Sequence, residues 1–140
     1  MIDVMEHGLY NAYRLAIAPT QSISYVQNST SSVMPNTQVV EERTYGDSKT
    51  FYPMPYLNRQ NYMLYARTAF NMSQYDIIDT VAVWQKHIDQ AISCILFVHD
   101  ITPTDELAKY IAYSHYVGLK SLYYIRALNS SSNECEVCAV

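Results

Sequence analysis

Cysteine is scarce in this chain: 3 residues in 140, two of them close together near the C-terminus as Cys135-Glu136-Val137-Cys138. An odd number, with Cys94 far from the pair, does not fit a secreted disulfide framework, and reduced thiols of a cytoplasmic protein are expected instead. No second Cys-x-x-Cys and no nearby Cys-x-x-His exist to complete four zinc ligands, so no metal site is expected. Long apolar runs are absent too. Nothing approaches the roughly 18 residues a membrane-spanning helix needs, and the N-terminus carries no basic-then-apolar signal segment. Positive charge is thin and scattered, 9 Lys and Arg against 13 Asp and Glu for a net charge of −4, which argues against DNA or RNA as a main partner.

What is present is enough apolar residue, 49%, for the core of one domain. The aromatic content is lopsided: 14 tyrosines against 3 Phe and 1 Trp. Such tyrosines are expected to be half-buried packing residues whose hydroxyls need partners.

Along the chain, residues 1–13 read as a short helix and Arg14 to Ala18 as a short strand that stops at Pro19. Two hydroxyl and amide clusters follow, Thr20 to Ser24 and Asn28 to Ser32, with loop and helix-start chemistry. Residues 37–65 read as irregular and rich in Tyr and Pro. From Asp76 the pattern becomes helical, with Ile77, Val81, Trp84, Ile88 and Ala91 forming one apolar stripe. His87 and Asp89 fall on this helix as packing groups. Cys94 to Val98 is a buried strand in which Cys94 is a small core residue. Thr102-Pro103-Thr104-Asp105 has capping-box form with Pro at the first helical position, and the helix it opens ends at Gly118. Ser121 to Ile125 is a third buried strand. The fold class expected is α/β, with the last helix crossing between parallel strands. Apolar runs on both faces of so few strands leave two readings open: a small sandwich of its own, or a piece of something larger.

Three features bear on chemistry. A Pro-Thr-x-Ser loop is by itself ordinary turn chemistry, although hydroxyls and helix-start N–H groups can also cradle an anion. Adjacent tyrosines, Tyr123-Tyr124, are by themselves core residues of a strand. The Cys-x-x-Cys on a polar tail is either a redox dithiol or two incidental exposed cysteines.

An ordered set of segments resolves these alternatives. Ala16-Ile17-Ala18-Pro19-Thr20-Gln21-Ser22-Ile23-Ser24-Tyr25, Tyr52-Pro53-Met54-Pro55, His87-Ile88-Asp89-Gln90, Gly118-Leu119-Lys120-Ser121-Leu122-Tyr123-Tyr124 and the terminal Cys-x-x-Cys occur in this order. Together they resemble the C-terminal part of the large (alpha) subunit of class Ib ribonucleotide reductase, in its bacterial or bacteriophage form, over nearly the whole chain. The resemblance implies a portion of a ten-stranded α/β barrel over residues 1–128 and a flexible redox tail over 129–140. It implies reduction of ribonucleoside diphosphates to deoxyribonucleoside diphosphates. By the same resemblance Pro19, Thr20, Gln21, Ser22 and Ile23 form the substrate-phosphate loop, with the Gln21 side chain turned away from the ligand. Tyr123 and Tyr124 relay a radical from a small (beta) subunit carrying a dimetal-tyrosyl radical cofactor of Mn or Fe, this chain itself binding no cofactor. Cys135 and Cys138 are the tail dithiol that a thioredoxin- or glutaredoxin-like protein re-reduces. The 9 residues from Arg126 to Cys135 span at most about 30 Å, and Ser and Asn make that linker flexible.

The family's radical-bearing cysteine, the two barrel cysteines oxidised during turnover and the allosteric nucleotide regions have no counterpart here. The chain is therefore expected to be inert alone and to act with an upstream fragment of the alpha subunit. The alternatives are a free-standing thiol-redox or binding module and a non-functional truncated remnant.

Overall fold

The computed structural model describes residues 2–8 and 11–129. The tail from 130 onward, including Cys135 and Cys138, lies outside the described residues. The described residues hold five α-helices: α1 (Ile2–His7), α2 (Gln21–Val26), α3 (Tyr62–Tyr65), α4 (Gln74–Gln85) and α5 (Thr104–Tyr116), with a 3-10 turn at Ala69–Asn71. Among the same residues four strands form two separate sheets. β1 (Val40–Tyr45) pairs antiparallel with β2 (Ser48–Pro53), and β3 (Cys94–His99) pairs parallel with β4 (Leu122–Leu128). No closed sheet forms among the described residues.

The β3-α5-β4 unit supplies the framework. A parallel pair needs a long crossover, and α5 provides it, as the sequence pattern expected. Strand alternation sends Cys94, Leu96 and Val98 into one core with Ile78, Val81, Ala82, Ile92, Tyr110 and Leu119. Ile95 and Phe97, on the other face, pack with Ala69 and Ile77. The four helix residues Ile77, Ile78, Val81 and Ala82 are spaced to form one face of α4, and full burial of a side chain such as Ile78 contributes about 2–3 kcal/mol.

Both ends of that face carry a glutamine in place of an apolar residue. Gln74 and Gln85 are 5% and 6% exposed, so each polar atom needs a partner. Gln74 Oε1 accepts the Phe97 N–H at 2.8 Å, and its Nε2 donates to the carbonyls of Ala69 and Met72, both at 3.2 Å. Gln85 Nε2 donates to the carbonyls of Ile88 and Gln90, and its Oε1 accepts the Ile92 N–H. Gln74 thereby ties β3 to the irregular backbone around Ala69 and Met72, and Gln85 saturates the irregular backbone leading into β3.

Helix α5 ends where the sequence predicts. Gly118 adopts φ +94, and the Leu119 N–H bonds the Ser114 carbonyl at 3.0 Å while Leu119 is buried. A left-handed glycine followed by a buried apolar residue is the Schellman way of closing a helix.

Several expectations are corrected. Arg14 to Ala18 is not a strand: the Arg14 and Leu15 N–H groups donate to the Asp89 carboxylate at 2.8 and 3.0 Å, and the Leu15 carbonyl accepts from Gln90. A side chain has taken the place of a neighbouring strand. Residues 37–65 are not irregular throughout, since they hold the β1–β2 hairpin, closed by Gly46 at φ +59. Trp84 is off the buried face of α4, 48% exposed, and the helix stops at Gln85, leaving His87 and Asp89 beyond it. Pro103 is the N-cap of α5, not its first helical residue, and no side chain caps that end. Thr102 Oγ1 instead accepts the His99 N–H at 3.1 Å. β4 is not a buried strand, since Tyr123, Tyr124 and Ile125 are exposed along it. No helix among the described residues is long and apolar enough to cross a membrane.

Candidate active site

The tyrosine pair owes its placement to an irregularity in β4. The register runs Cys94↔Leu122 and then Ile95↔Tyr124, which leaves Tyr123 as an extra residue. On a regular strand neighbouring side chains point to opposite faces, and a bulge re-aims one of them. The rings of Tyr123 and Tyr124 meet edge to face, with centroids 4.8 Å apart and an interplanar angle of 61°. Both line a cavity of about 870 Å³. Tyr123 is 62% exposed and Tyr124 38%, so the pair stands at the open side of the two-stranded sheet.

The same cavity receives the loop at the start of α2. Thr20 is the N-cap and makes no side-chain capping hydrogen bond. Pro19, Gln21, Ser24 and Tyr25 line the cavity, whereas Thr20, Ser22 and Ile23 are not among its lining residues, and Ile23 is 61% exposed. Gln21 is therefore at the cavity wall. The first-turn N–H groups of any helix have no intrahelical acceptor, which leaves them as donors at this end. Ser24, 2% exposed, holds the helix to the protein and turns its hydroxyl to the Gln21 carbonyl.

Helix α2 closes on Asn28 at φ +49, with the Ser29 N–H bonded to the Ser24 carbonyl at 2.9 Å. The turn directs Ser29, Thr30, Ser31 and Ser32 along the cavity. The charged lining residues are Glu41, Arg43 and Arg126, so the wall is hydroxyl-rich with one net positive charge. Such a lining suits a polar anionic ligand with an apolar portion, the latter meeting Ile95, Phe97, Met34 and Met54.

Sequence reasoning missed the hairpin side of this wall. The rings of Tyr25 and Tyr52 are stacked, 4.2 Å between centroids and 18° between planes. The Tyr25 hydroxyl donates to Glu41 and accepts from Arg43 Nε at 3.2 Å and Nη2 at 3.0 Å. Burial, then the neighbouring Glu41 carboxylate, pushes the Tyr25 phenol up to about 12, with Arg43 opposing. Glu41 and Arg43 alternate along β1, a spacing that puts both on one face, but this was legible only once the hairpin was known.

Two other resemblance segments also meet. Lys120 Nζ donates to the carbonyls of Ile88, at 3.2 Å, and Asp89, while the Asp89 carboxylate holds Arg14 and Leu15. Those N–H groups, Arg14 first, hold the Asp89 carboxyl below the usual carboxylate range. The chain leading into the α2 loop is thus tied to the turn before β3 and the turn before β4. Cys94 is fully buried, and desolvation pushes its thiol up to about 11, which makes it a packing residue. Among the described residues no cluster of three His, Cys, Asp or Glu could hold a metal ion.

Residues 2–125 match the family described as "Ribonucleotide reductase, barrel domain". The chain is 49% identical over 138 residues to the ribonucleoside-diphosphate reductase NrdEB subunit alpha of Bacillus subtilis, covering 99% of this chain and 13% of that protein. It is 48% identical over 137 residues to the ribonucleoside-diphosphate reductase subunit alpha of the same organism, covering 98% and 19%. The corresponding subunit of Mycoplasma pneumoniae is 35% identical over 150 residues, covering 99% and 21%. The chain therefore spans about a fifth or less of the length of these curated relatives.

Proposed function

The chain belongs to the ribonucleotide reductase barrel-domain family, and from that premise we propose that it contributes one wall of the substrate site of a class Ib ribonucleoside-diphosphate reductase. The single observation that carries this reading is the meeting of Pro19 and Gln21 with Tyr123 and Tyr124 at one cavity. A phosphate loop and a radical relay would serve the same nucleotide, and the reading is supported by residues of two sequence-distant segments lining one cavity.

In this reading, first-turn N–H groups in the Pro19-Thr20-Gln21-Ser22-Ile23 segment, with the hydroxyls of Ser29 to Ser32 that line the cavity, hold the diphosphate without a lysine or arginine in the loop. Tyr123 and Tyr124 each give up one electron and one proton and regain both from the neighbour. A phenol can lose its proton and its electron together, so no charge is left on the ring. A separate small subunit carrying a dimetal-tyrosyl radical, with Mn or Fe, would supply the one-electron oxidising equivalent that Tyr123 and Tyr124 pass on. The ribose gains two electrons from a barrel dithiol, which becomes a disulfide, and its 2′-oxygen leaves as water. Cys135 and Cys138 then reduce that disulfide by thiol–disulfide exchange and are themselves reduced by a thioredoxin- or glutaredoxin-like protein.

The remaining barrel, with the thiyl-forming cysteine, completes the site, and the chain by itself is inert. The exposed β4 edge with Tyr123, Tyr124 and Ile125 supports the need for a further strand or subunit there. The test is reconstitution of this chain with the rest of the barrel and the small subunit, followed by nucleoside-diphosphate reduction. Replacing Cys135 and Cys138 by Ser stops repeated turnover with thioredoxin while sparing a single turnover. Loss of the single turnover as well would show that the tail thiols are not a reloading device, and pieces that fail to associate would refute the composite site.

A further inference from the structure

Helix α2 has only six residues, Gln21–Val26, and a helix that short has no orientation of its own in water. Whatever fixes it fixes the loop at its head. Ser24 is its one buried residue. The second anchor is Tyr25, which reaches out to the β1–β2 hairpin instead of into the core of β3 and α4. A phenol hydroxyl has one hydrogen to donate and two lone pairs. At Tyr25 all three capacities are used, one by Glu41 and two by Arg43. The ring is held separately, by the 4.2 Å stack on Tyr52 and by the Arg43 guanidinium 5.8 Å from its centroid. Glu41 and Arg43 also pair with each other at 3.4 Å, with side chains about one-fifth exposed, 19% and 22%. All four residues line the cavity that contains Pro19, Gln21 and the tyrosine pair.

We infer that Tyr25 is a positioning residue: it clamps α2 to the hairpin and so sets the direction in which the head of that helix, with Pro19 and Gln21 at the cavity wall, presents its first-turn N–H groups to the diphosphate. This rests on the proposed substrate site and deepens it, since nothing in the loop itself specifies its angle to the cavity. A side chain that served packing alone would need the ring; here the hydroxyl is saturated by two charged groups from a different element. Because the phenol is pushed up to about 12, it stays a donor to Glu41 throughout the physiological range. The clamp touches no reacting atom. Loosening it lets α2 wander before substrate binds, and the diphosphate must then order the loop. Ground state and transition state share that cost, so KM rises and kcat holds.

The experiment uses the assembled enzyme, this chain with the remaining barrel and small subunit, and steady-state reduction of a ribonucleoside diphosphate. Tyr25→Phe keeps the stack and deletes the hydroxyl network; KM rises about 2- to 10-fold, the range of one net hydrogen-bond contribution, with kcat within about twofold. Inorganic pyrophosphate, as a competitive inhibitor, weakens by the same factor. Glu41→Gln raises KM in the same direction, and the double variant is no worse than Tyr25→Phe, because both act through one hydroxyl. Tyr25→Leu, which also loses the ring, is worse than Tyr25→Phe. An unchanged KM and pyrophosphate inhibition in Tyr25→Phe, or a loss of kcat at constant KM, overturns the inference while leaving the proposed site standing. A wild-type assembly unable to reduce the nucleotide overturns both.

Discussion

Replacing Gln74 by Leu isolates one polar element of the fold with almost no change of volume. Three hydrogen bonds end on this side chain, to the Phe97 N–H at 2.8 Å and to the carbonyls of Ala69 and Met72 at 3.2 Å. Phe97 is 3% exposed, so its N–H has no route to water once the glutamine is gone. An unsatisfied buried donor costs about 1–3 kcal/mol, and the two carbonyls add to it, Ala69 being itself fully buried. The expected loss is about 2–4 kcal/mol, concentrated where α4 meets β3. The local readout is hydrogen exchange of the Phe97 amide, whose protection falls roughly 30- to 900-fold, the same energy expressed as an opening equilibrium. Leucine adds apolar contact, so a result within about 0.5 kcal/mol of wild type with Phe97 still protected would refute the claim that Gln74 acts as a backbone substitute.

Two further predictions concern groups away from the cavity. Cys94, with its thiol pushed up to about 11, is roughly one part in a thousand thiolate at pH 8; iodoacetamide followed by peptide mass spectrometry labels it only in denaturant, and labelling at a free-thiol rate in the folded protein contradicts its core placement. The Asp89 carboxyl is held low by the Arg14 N–H first and the Leu15 N–H second, so the tie is fully present above the ordinary carboxylate range near pH 4 and is lost as pH falls through its depressed value. Asp89→Ala releases the same segment at pH 7, seen as fast exchange of the Arg14 and Leu15 amides; equal protection in the variant means that something else holds the chain there.

The elements legible from the sequence were those whose partners lie close in the chain. The α4 periodicity, the apolar run of β3, and α5 with its Gly118 stop each carry a local pattern, and the parallel crossover follows from their order. The β1–β2 hairpin was hidden because Glu41, Glu42 and Arg43 give no apolar alternation, and only the Gly46-Asp47 turn betrayed it. Arg14 to Ala18 looked like a strand because it is apolar beyond Arg14, yet the Arg14 and Leu15 N–H groups bond a carboxylate 75 and 74 residues away. The bulge at Tyr123 is a property of pairing and has no single-strand signature. Trp84 followed the helical period by sequence but falls just outside the arc that Ile77, Ile78 and Val81 bury.

At the candidate site the sequence offered Pro19 to Ile23 and the tyrosine pair through resemblance alone, with nothing in their spacing to say that they meet. The meeting of Pro19 and Gln21 with that pair at one cavity required the fold, and Thr20, Ser22 and Ile23 are not among its lining residues. Tyr25 lay inside the resemblance segment but had no chemistry attached, because Glu41 and Arg43 become its partners only across the hairpin.

The most direct measurement is deoxynucleotide formation by the assembled reductase carrying Tyr124→Phe or Tyr123→Phe. Phenylalanine keeps each ring in place but has no phenolic proton to release, so assembly and nucleoside-diphosphate binding persist while turnover falls to background. Turnover by either variant at the wild-type rate would contradict the assignment of this cavity as the place where radical relay and substrate meet.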